Sequence, residues 1–170
     1  MEYRTTAITR KAGEGEMMTI PKSYAEWIDI LKVIKEKKDD IEVLEVMQKG
    51  EIVWQSGIAE RFMKKYIDVI NCRMNCATDK FQLDMKRAGN SENSIVQSLF
   101  SLRKEMKFLI KLSEITILPE KQRETIRDMI NEEVLRMQKA LEDSAKSDRT
   151  GKMLSIVKKN RLDSIIKERT

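Results

Sequence analysis

The chain has 170 residues, of which 41% are hydrophobic, 36% charged and 5% aromatic, and its formal net charge is +5. This length suits one domain with a core of its own, and only 2 prolines and 6 glycines favour long helices over a many-turned β fold. No run approaches the ~18 apolar residues of a membrane-spanning helix. The N-terminus also lacks the apolar segment of a secretory signal, so a cytoplasmic location is expected.

The first predicted helix follows a segment of little periodicity, residues 1–19, which we interpret as a flexible arm. Ser23 and Glu26 have the spacing of a capping box, so the helix is expected to begin there. Its apolar stripe comprises Trp27, Ile30, Leu31 and Ile34.

A second, shorter helix is predicted after Asp39, which repeats the capping signal with Glu42. We expect it to end at Gly50 as a C′ glycine. Its apolar stripe is predicted to comprise Ile41, Leu44 and Met47. Residues 52–54 are interpreted as a loop or turn, because no second strand is visible to pair with them.

The longest helix is predicted from Ser56 to Ala88, and a bend or break is expected near Asn75 because about 33 residues would span roughly 50 Å. Steps of three and four define one apolar seam: Met63, Ile67, Ile70, Met74, Ala77, Phe81, Met85 and Ala88. A second seam runs beside it through Ala59, Phe62, Tyr66 and Val69. Two adjacent seams are typical of a central bundle helix.

Two further long helices are predicted, separated from the first by Gly89 and from each other by Pro119, which suits a first helical position. Their stripes are Ile95, Leu99, Leu102, Met106 and Leu109, then Ile126, Ile130, Val134, Met137 and Leu141. Short connections between long helices favour antiparallel neighbours.

The C-terminal segment, residues 146–170, holds eight basic and three acidic residues, which equals the whole charge excess. We predict a basic amphipathic tail whose contact residues are Lys152, Lys158, Lys159, Arg161, Lys167 and Arg169. Such a tail can contact phosphates, an anionic membrane or a partner's groove. It can equally be a solvated tail or a final helix packed on the body.

Catalytic chemistry has little support in the sequence. The absence of histidine excludes Ser-His-Asp and Cys-His arrangements and imidazole-based zinc sites. Cys72 and Cys76 alone cannot complete a zinc site, and we expect both to be reduced and buried as small apolar residues. The acidic pairs 39–40 and 132–133 are better explained by helix dipoles and solvated faces than by catalysis. A helix-turn-helix over residues 24–49 is rejected, because its second helix is acidic.

The sequence therefore predicts an all-α bundle of about four to six helices, divided into an arm (1–19), the helical bundle (20–145) and a basic tail (146–170). The expected function is a non-enzymatic protein–protein interaction module, such as an adaptor, chaperone, regulator or assembly subunit, without cofactor or metal. Self-association is expected through a helix seam formed by Met63, Ile67, Ile70 and Met74. The alternative is a nucleic-acid-binding accessory protein that uses the basic tail.

Overall fold

Helices form most of the computed structural model, which describes residues 18–51 and 56–167 and contains no strand within them. The helices are α1 (Tyr24–Lys35), α2 (Asp40–Lys49), α3 (Ser56–Ala88), α4 (Glu92–Ser113), α5 (Glu120–Lys146), α6 (Lys152–Lys159) and the single turn α7 (Ser164–Lys167). The predicted all-α bundle with one long central helix is confirmed. Residues 1–17 of the predicted arm and the ambiguous residues 52–54 lie outside the described residues.

Helix α3 is the centre of the bundle, because it packs against α1, α4 and α5. The Tyr66 hydroxyl donates to the Leu112 carbonyl at 2.7 Å, and seven residues later Arg73 bonds Glu105, seven residues earlier on α4. The two helices therefore run antiparallel, as predicted. Helix α3 continues through Asn75 without interruption, so a break there is wrong, while a bend stays a prediction.

The first capping signal is confirmed in part. The Ser23 hydroxyl accepts from the Glu26 amide at 3.3 Å, while the Glu26 carboxylate accepts from the Lys22 amide rather than from the amide of Ser23. Pro119 is the N-cap of α5, one position before the predicted one. The cap of α2 is wrong: Asp39 takes a left-handed backbone conformation with φ 52° and makes no side-chain capping bond.

The stripe predicted for α2 is also largely wrong, because the helix is rotated relative to the expectation. Its buried residues are Val43, Val46 and Met47. Leu44 is half-buried, and Ile41 is 78% exposed. One side of α2 therefore presents apolar side chains to solvent.

Helix α2 ends at Gly50, as predicted, but not in a left-handed turn. The φ of Gly50 is −78°, which any residue can adopt. A Cβ built on Gly50 would lie 2.6 Å from Cζ2 of Trp27, which is fully buried. The glycine therefore permits close approach of the chain to the indole ring of α1.

The C-terminal segment packs on the bundle instead of extending from it. Helix α6 contacts α4 and α5, and the buried apolar residues of this segment are Ile156, Val157, Leu162 and Ile165. The Gln138 side chain of α5 accepts from the Leu162 amide at 2.8 Å. The predicted amphipathic helix is present, but the described part of residues 146–170 belongs to the helical body.

None of the helices in the described ranges combines the length and the apolar character needed to cross a membrane.

Candidate interaction groove

A groove of about 910 Å³ lies between α2, α3 and α4, and we call it the α2–α3–α4 groove. Its floor consists of buried apolar side chains on α3 and α4: Ala77, Phe81, Leu102 and Phe108. A groove of this size with an apolar floor and polar groups at its margin is typical of a binding site.

Arg73 closes one end of the groove floor, and it is only 1% exposed. Its guanidinium donates two bonds to Glu105 of α4 at 2.7 and 2.9 Å, and two to Asp40 of α2 at 2.9 and 3.1 Å. A fifth bond reaches the Ile34 carbonyl at the end of α1 at 3.1 Å. The Phe108 ring lies 4.3 Å from the guanidinium carbon, in cation–π contact.

This arrangement keeps Arg73 charged although it is buried. Burial alone would lower its pKa, but the hydrogen bonds and charges of Asp40 and Glu105 outweigh burial and raise the pKa. All the N–H groups face oxygen atoms of three other helices, so the guanidinium fixes the positions of α1, α2 and α4 around α3. The cluster gives the groove a rigid end.

Two large apolar side chains are exposed at the margin of the groove. Ile41 of α2 is 78% exposed and Phe100 of α4 is 69% exposed. Single exposed apolar residues are common on proteins, but two that border one groove with an apolar floor add to its apolar surface. The rotation of α2 that places Val43 in the core is what places Ile41 here.

A basic stripe runs along the α4 side of the groove. Phe100, Lys104, Lys107 and Lys111 are spaced by four, three and four residues, which places them on one helical face. All four border the groove, as does Arg103. Seven cationic side chains line the groove against three carboxylates, and two of those carboxylates, Asp40 and Glu105, bind Arg73. The groove therefore has more cationic than acidic side chains around it.

A second cavity of about 320 Å³ continues the groove along α3 and α4. The two cavities share Asp84, Ser98 and Ser101. The second one adds Arg87 and Ser94, so the depression follows most of the contact between the two helices.

The helix seam predicted for self-association lies mostly inside the chain. Met63, Ile70 and Met74 are buried by the other helices, and Ile67 is half-buried. A second chain could contact only Ile67 among these four without opening the core. Self-association through this seam therefore stays a prediction that requires the core to open.

The predicted contact residues of the C-terminal segment are split. Lys152, Lys158 and Lys159 are exposed on α6, and Arg161 is exposed beside Asp163, with which it forms an ion pair at 2.8 Å. The side chain of Lys167 and the whole of Arg169 lie outside the described residues. The structure brings three of these lysines together on one short helix.

The other chemically suggestive residues have structural environments. Cys72 and Cys76 are free, but Cys76 is exposed and Cys72 half-buried, so the expectation that both are buried is wrong. Glu133 accepts from Thr78 at 3.2 Å and from Arg136 at 2.6 Å. Within the described residues, no group of three or more acidic or cysteine side chains is placed to hold a metal ion.

Arg73 and the groove were missed by the sequence analysis, although one signal pointed to the arginine. The second seam of α3 passes through Tyr66 and Val69, and its next position, four residues on, is Arg73. A charged residue at a seam position indicates either the end of the seam or a buried ion pair. Here it is both, because the groove begins where the seam reaches Arg73.

No protein-family model, curated protein or solved structure matches this chain.

Proposed function

We propose that the protein is a non-enzymatic protein–protein interaction module, and that the α2–α3–α4 groove is its binding site. The observation that carries this proposal is the exposure of Ile41 and Phe100, two large apolar side chains that border the same apolar groove. Covering exposed apolar surface is the main source of free energy in protein association. A groove between helices is a standard way of receiving a partner's helix.

The rigid end of the groove supports the same proposal. Arg73 holds Asp40 of α2 and Glu105 of α4 in place, so the two margins are positioned before a partner arrives. A preorganised site binds more tightly, because less conformational entropy is lost on association.

The proposal is tested by site-specific photo-crosslinking in the cells that produce the protein. A photoreactive residue is placed at Ser101, which is exposed and borders the groove, and separately at Ala140, which is exposed on α5. We expect a discrete protein adduct from position 101 and none from position 140. The Phe100→Asp variant should abolish that adduct, because it places a charge on the apolar margin.

Equal adducts from both positions, or an adduct at position 101 that survives Phe100→Asp, would contradict the proposal. The variant is a fair test because Phe100 is 69% exposed and its replacement leaves the core intact. Circular dichroism of the purified variant provides the folding control.

Nucleic-acid binding through the C-terminal segment is the second candidate, supported by the exposure of Lys152, Lys158 and Lys159 on α6. Deleting the segment would be a poor test, because it removes buried core residues. The full-length triple variant K152Q/K158Q/K159Q should instead lose affinity for single-stranded RNA and show a shallower salt dependence. Unchanged salt dependence would remove this candidate.

A further inference from the structure

We infer that the α2–α3–α4 groove receives an acidic amphipathic α-helix of about four to five turns from a partner protein. This inference rests on the proposed function and names the chemistry of the partner. Three independent properties of the groove lead to it: its length, its apolar floor and the sign of its margin.

The length of the groove matches a helix. Its two cavities border α3 from Arg73 to Ala88 and α4 from Ser94 to Lys111. At ~1.5 Å per residue these stretches measure about 23 and 26 Å, which a helix of about 16 residues would cover. An occupant lying along the groove would place one apolar face on Phe81 and Phe108 and between Ile41 and Phe100.

The margin of the groove selects the charge of the occupant. Arg73 and Lys37 are balanced by Asp40 and Glu105, and Lys80 lies 4.0 Å from Asp84. Arg103 and Lys107 of α4 have interactions of their own, which leaves Lys104 and Lys111 of the same helix. Lys104 and Lys111 form no ion pair within the described ranges. The unbalanced charges of Lys104 and Lys111 therefore favour a helix with carboxylates on its polar face.

Other occupants fit the margin less well. In a two-fold symmetric contact between two copies the same surface meets itself, so the lysine stripes of two grooves would face each other. The N-terminal residues 1–17 carry three acidic and three basic side chains, so their charge is balanced. A nucleic acid would meet the aliphatic Ile41 and Leu102 and one well-exposed ring, Phe100, because Phe81 and Phe108 are buried in the floor, so its bases have little stacking surface.

The test uses three labelled synthetic peptides of about 16 residues. The first is an amphipathic helix with Leu and Phe on one face and Glu on the other, the second has Lys in place of Glu, and the third is a scrambled form of the first. Binding to the full-length protein is measured by fluorescence anisotropy at low and high salt. We expect the acidic helix to bind about tenfold more tightly than either control, with affinity that falls as salt rises.

Two charge-reversal variants locate the interaction. K104E/K111E reverses two groove lysines, and K121E/K139E reverses two exposed lysines of α5 with the same change in net charge. The groove variant should bind the acidic helix about tenfold more weakly and gain affinity for the basic one. The α5 variant should bind like the wild type. Adding Phe100→Ala to the wild type or to either charge-reversal variant should weaken the binding of the peptide that each of them prefers.

Several results would overturn the inference. One such result is a loss of affinity for the acidic helix that is equal in both charge-reversal variants. Others are tight binding of the scrambled peptide and displacement of the acidic helix by poly(U) RNA at equal charge. Each would mean that the protein attracts polyanions in general. Self-association that Phe100→Ala abolishes in light scattering would make a second copy the occupant.

The failure of the inference differs from the failure of the proposed function. If the acidic and basic helices bind equally and Phe100→Ala weakens both, the groove is an apolar docking site without charge selection. If no peptide binds while the crosslink from position 101 persists, the partner has another chemistry. If no peptide binds and no crosslink forms, both proposals are wrong.

Discussion

A single guanidinium joins four helices of this protein. Arg73 of α3 bonds Ile34, Asp40 and Glu105, which belong to α1, α2 and α4. Burying charges in this way costs desolvation free energy, which the bidentate geometry offsets. The two carboxylates remain partly accessible, so removing the arginine leaves them half-solvated rather than fully buried.

We therefore expect Arg73→Met to lower the free energy of unfolding by about 3 kcal/mol, because Asp40 and Glu105 lose their counter-charge. The triple variant R73M/D40N/E105Q should be more stable than R73M alone, since it removes the uncompensated carboxylates as well. Urea denaturation followed by circular dichroism measures both values. A triple variant that is less stable than R73M would mean that the carboxylates stabilise the fold independently of Arg73.

The same substitution should have opposite effects at two glycines, Gly50 at the end of α2 and Gly57 near the start of α3. Gly50→Ala should lower the free energy of unfolding by about 1–3 kcal/mol, because the new methyl group would lie 2.6 Å from the buried Trp27 ring. Gly57→Ala should raise it by about 0.5 kcal/mol, because nothing lies within 4 Å and alanine favours a helix. Thermal denaturation compares the two, and destabilisation of equal size would show that the Trp27 contact is not the cause.

At the scale of elements, α5 is joined to α3 by Glu133, whose carboxylate accepts from Thr78 and is paired with Arg136. The hydrogen bond and charge of Arg136, with the bond from Thr78, hold the pKa of Glu133 below its usual range despite partial burial. A lowered pKa in the folded state means that this contribution to stability is complete above the ordinary carboxyl pKa and is lost as the pH falls through the folded value.

Glu133→Gln should therefore lower the free energy of unfolding by about 1 kcal/mol at pH 7. The difference from wild type should shrink as the pH falls from the ordinary carboxyl pKa through the lowered pKa of the folded state, where the wild-type carboxylate takes up a proton. Glu132→Gln, at the exposed neighbouring position, should have little effect at either pH. A deficit for Glu133→Gln that is equal at pH 7 and in acid would place its cause elsewhere than in the charge.

The long helices were predictable because their periodic patterns extend over many turns, as the buried stripe from Ile126 to Leu141 shows. Helix α2 has only 10 residues, and stripes beginning at Ile41 or at Val43 both fit helical spacing. The choice between them depends on where α1 and α4 lie, which is tertiary information. For the same reason the spacing of residues could not pair Arg73 with Asp40, 33 positions away.

At the scale of the molecule, the distribution of charge over the folded surface differs from the distribution of charge along the sequence. The sequence count assigns the whole excess to residues 146–170 and leaves the body neutral. In the fold, the basic residues of α4 gather beside the groove, while the acids that balance them in the count lie on other surfaces as well as in the Arg73 cluster. A body that is neutral by residue count can therefore present a surface with an excess of positive charge, which a count along the chain cannot reveal.

Substitutions in the central helix α3 test whether self-association is coupled to folding. Met74 is buried between α3 and the other helices, whereas Cys76, two residues on, is exposed. Met74→Asp should lower the free energy of unfolding by about 4 kcal/mol, because it buries a carboxylate without a partner. Cys76→Asp adds the same charge to the same helix and should change stability by no more than about 0.5 kcal/mol.

Thermal denaturation and light scattering of both variants separate the two roles of the seam. If the seam belongs to the core of one chain, Met74→Asp unfolds the protein at a lower temperature and leaves the mass of the remaining folded species unchanged. A Met74→Asp protein that stays fully folded but has half the mass of wild type would instead make the seam an interface between chains. Cys76→Asp should match wild type in both measurements, because an exposed carboxylate on α3 disturbs neither the core nor the groove.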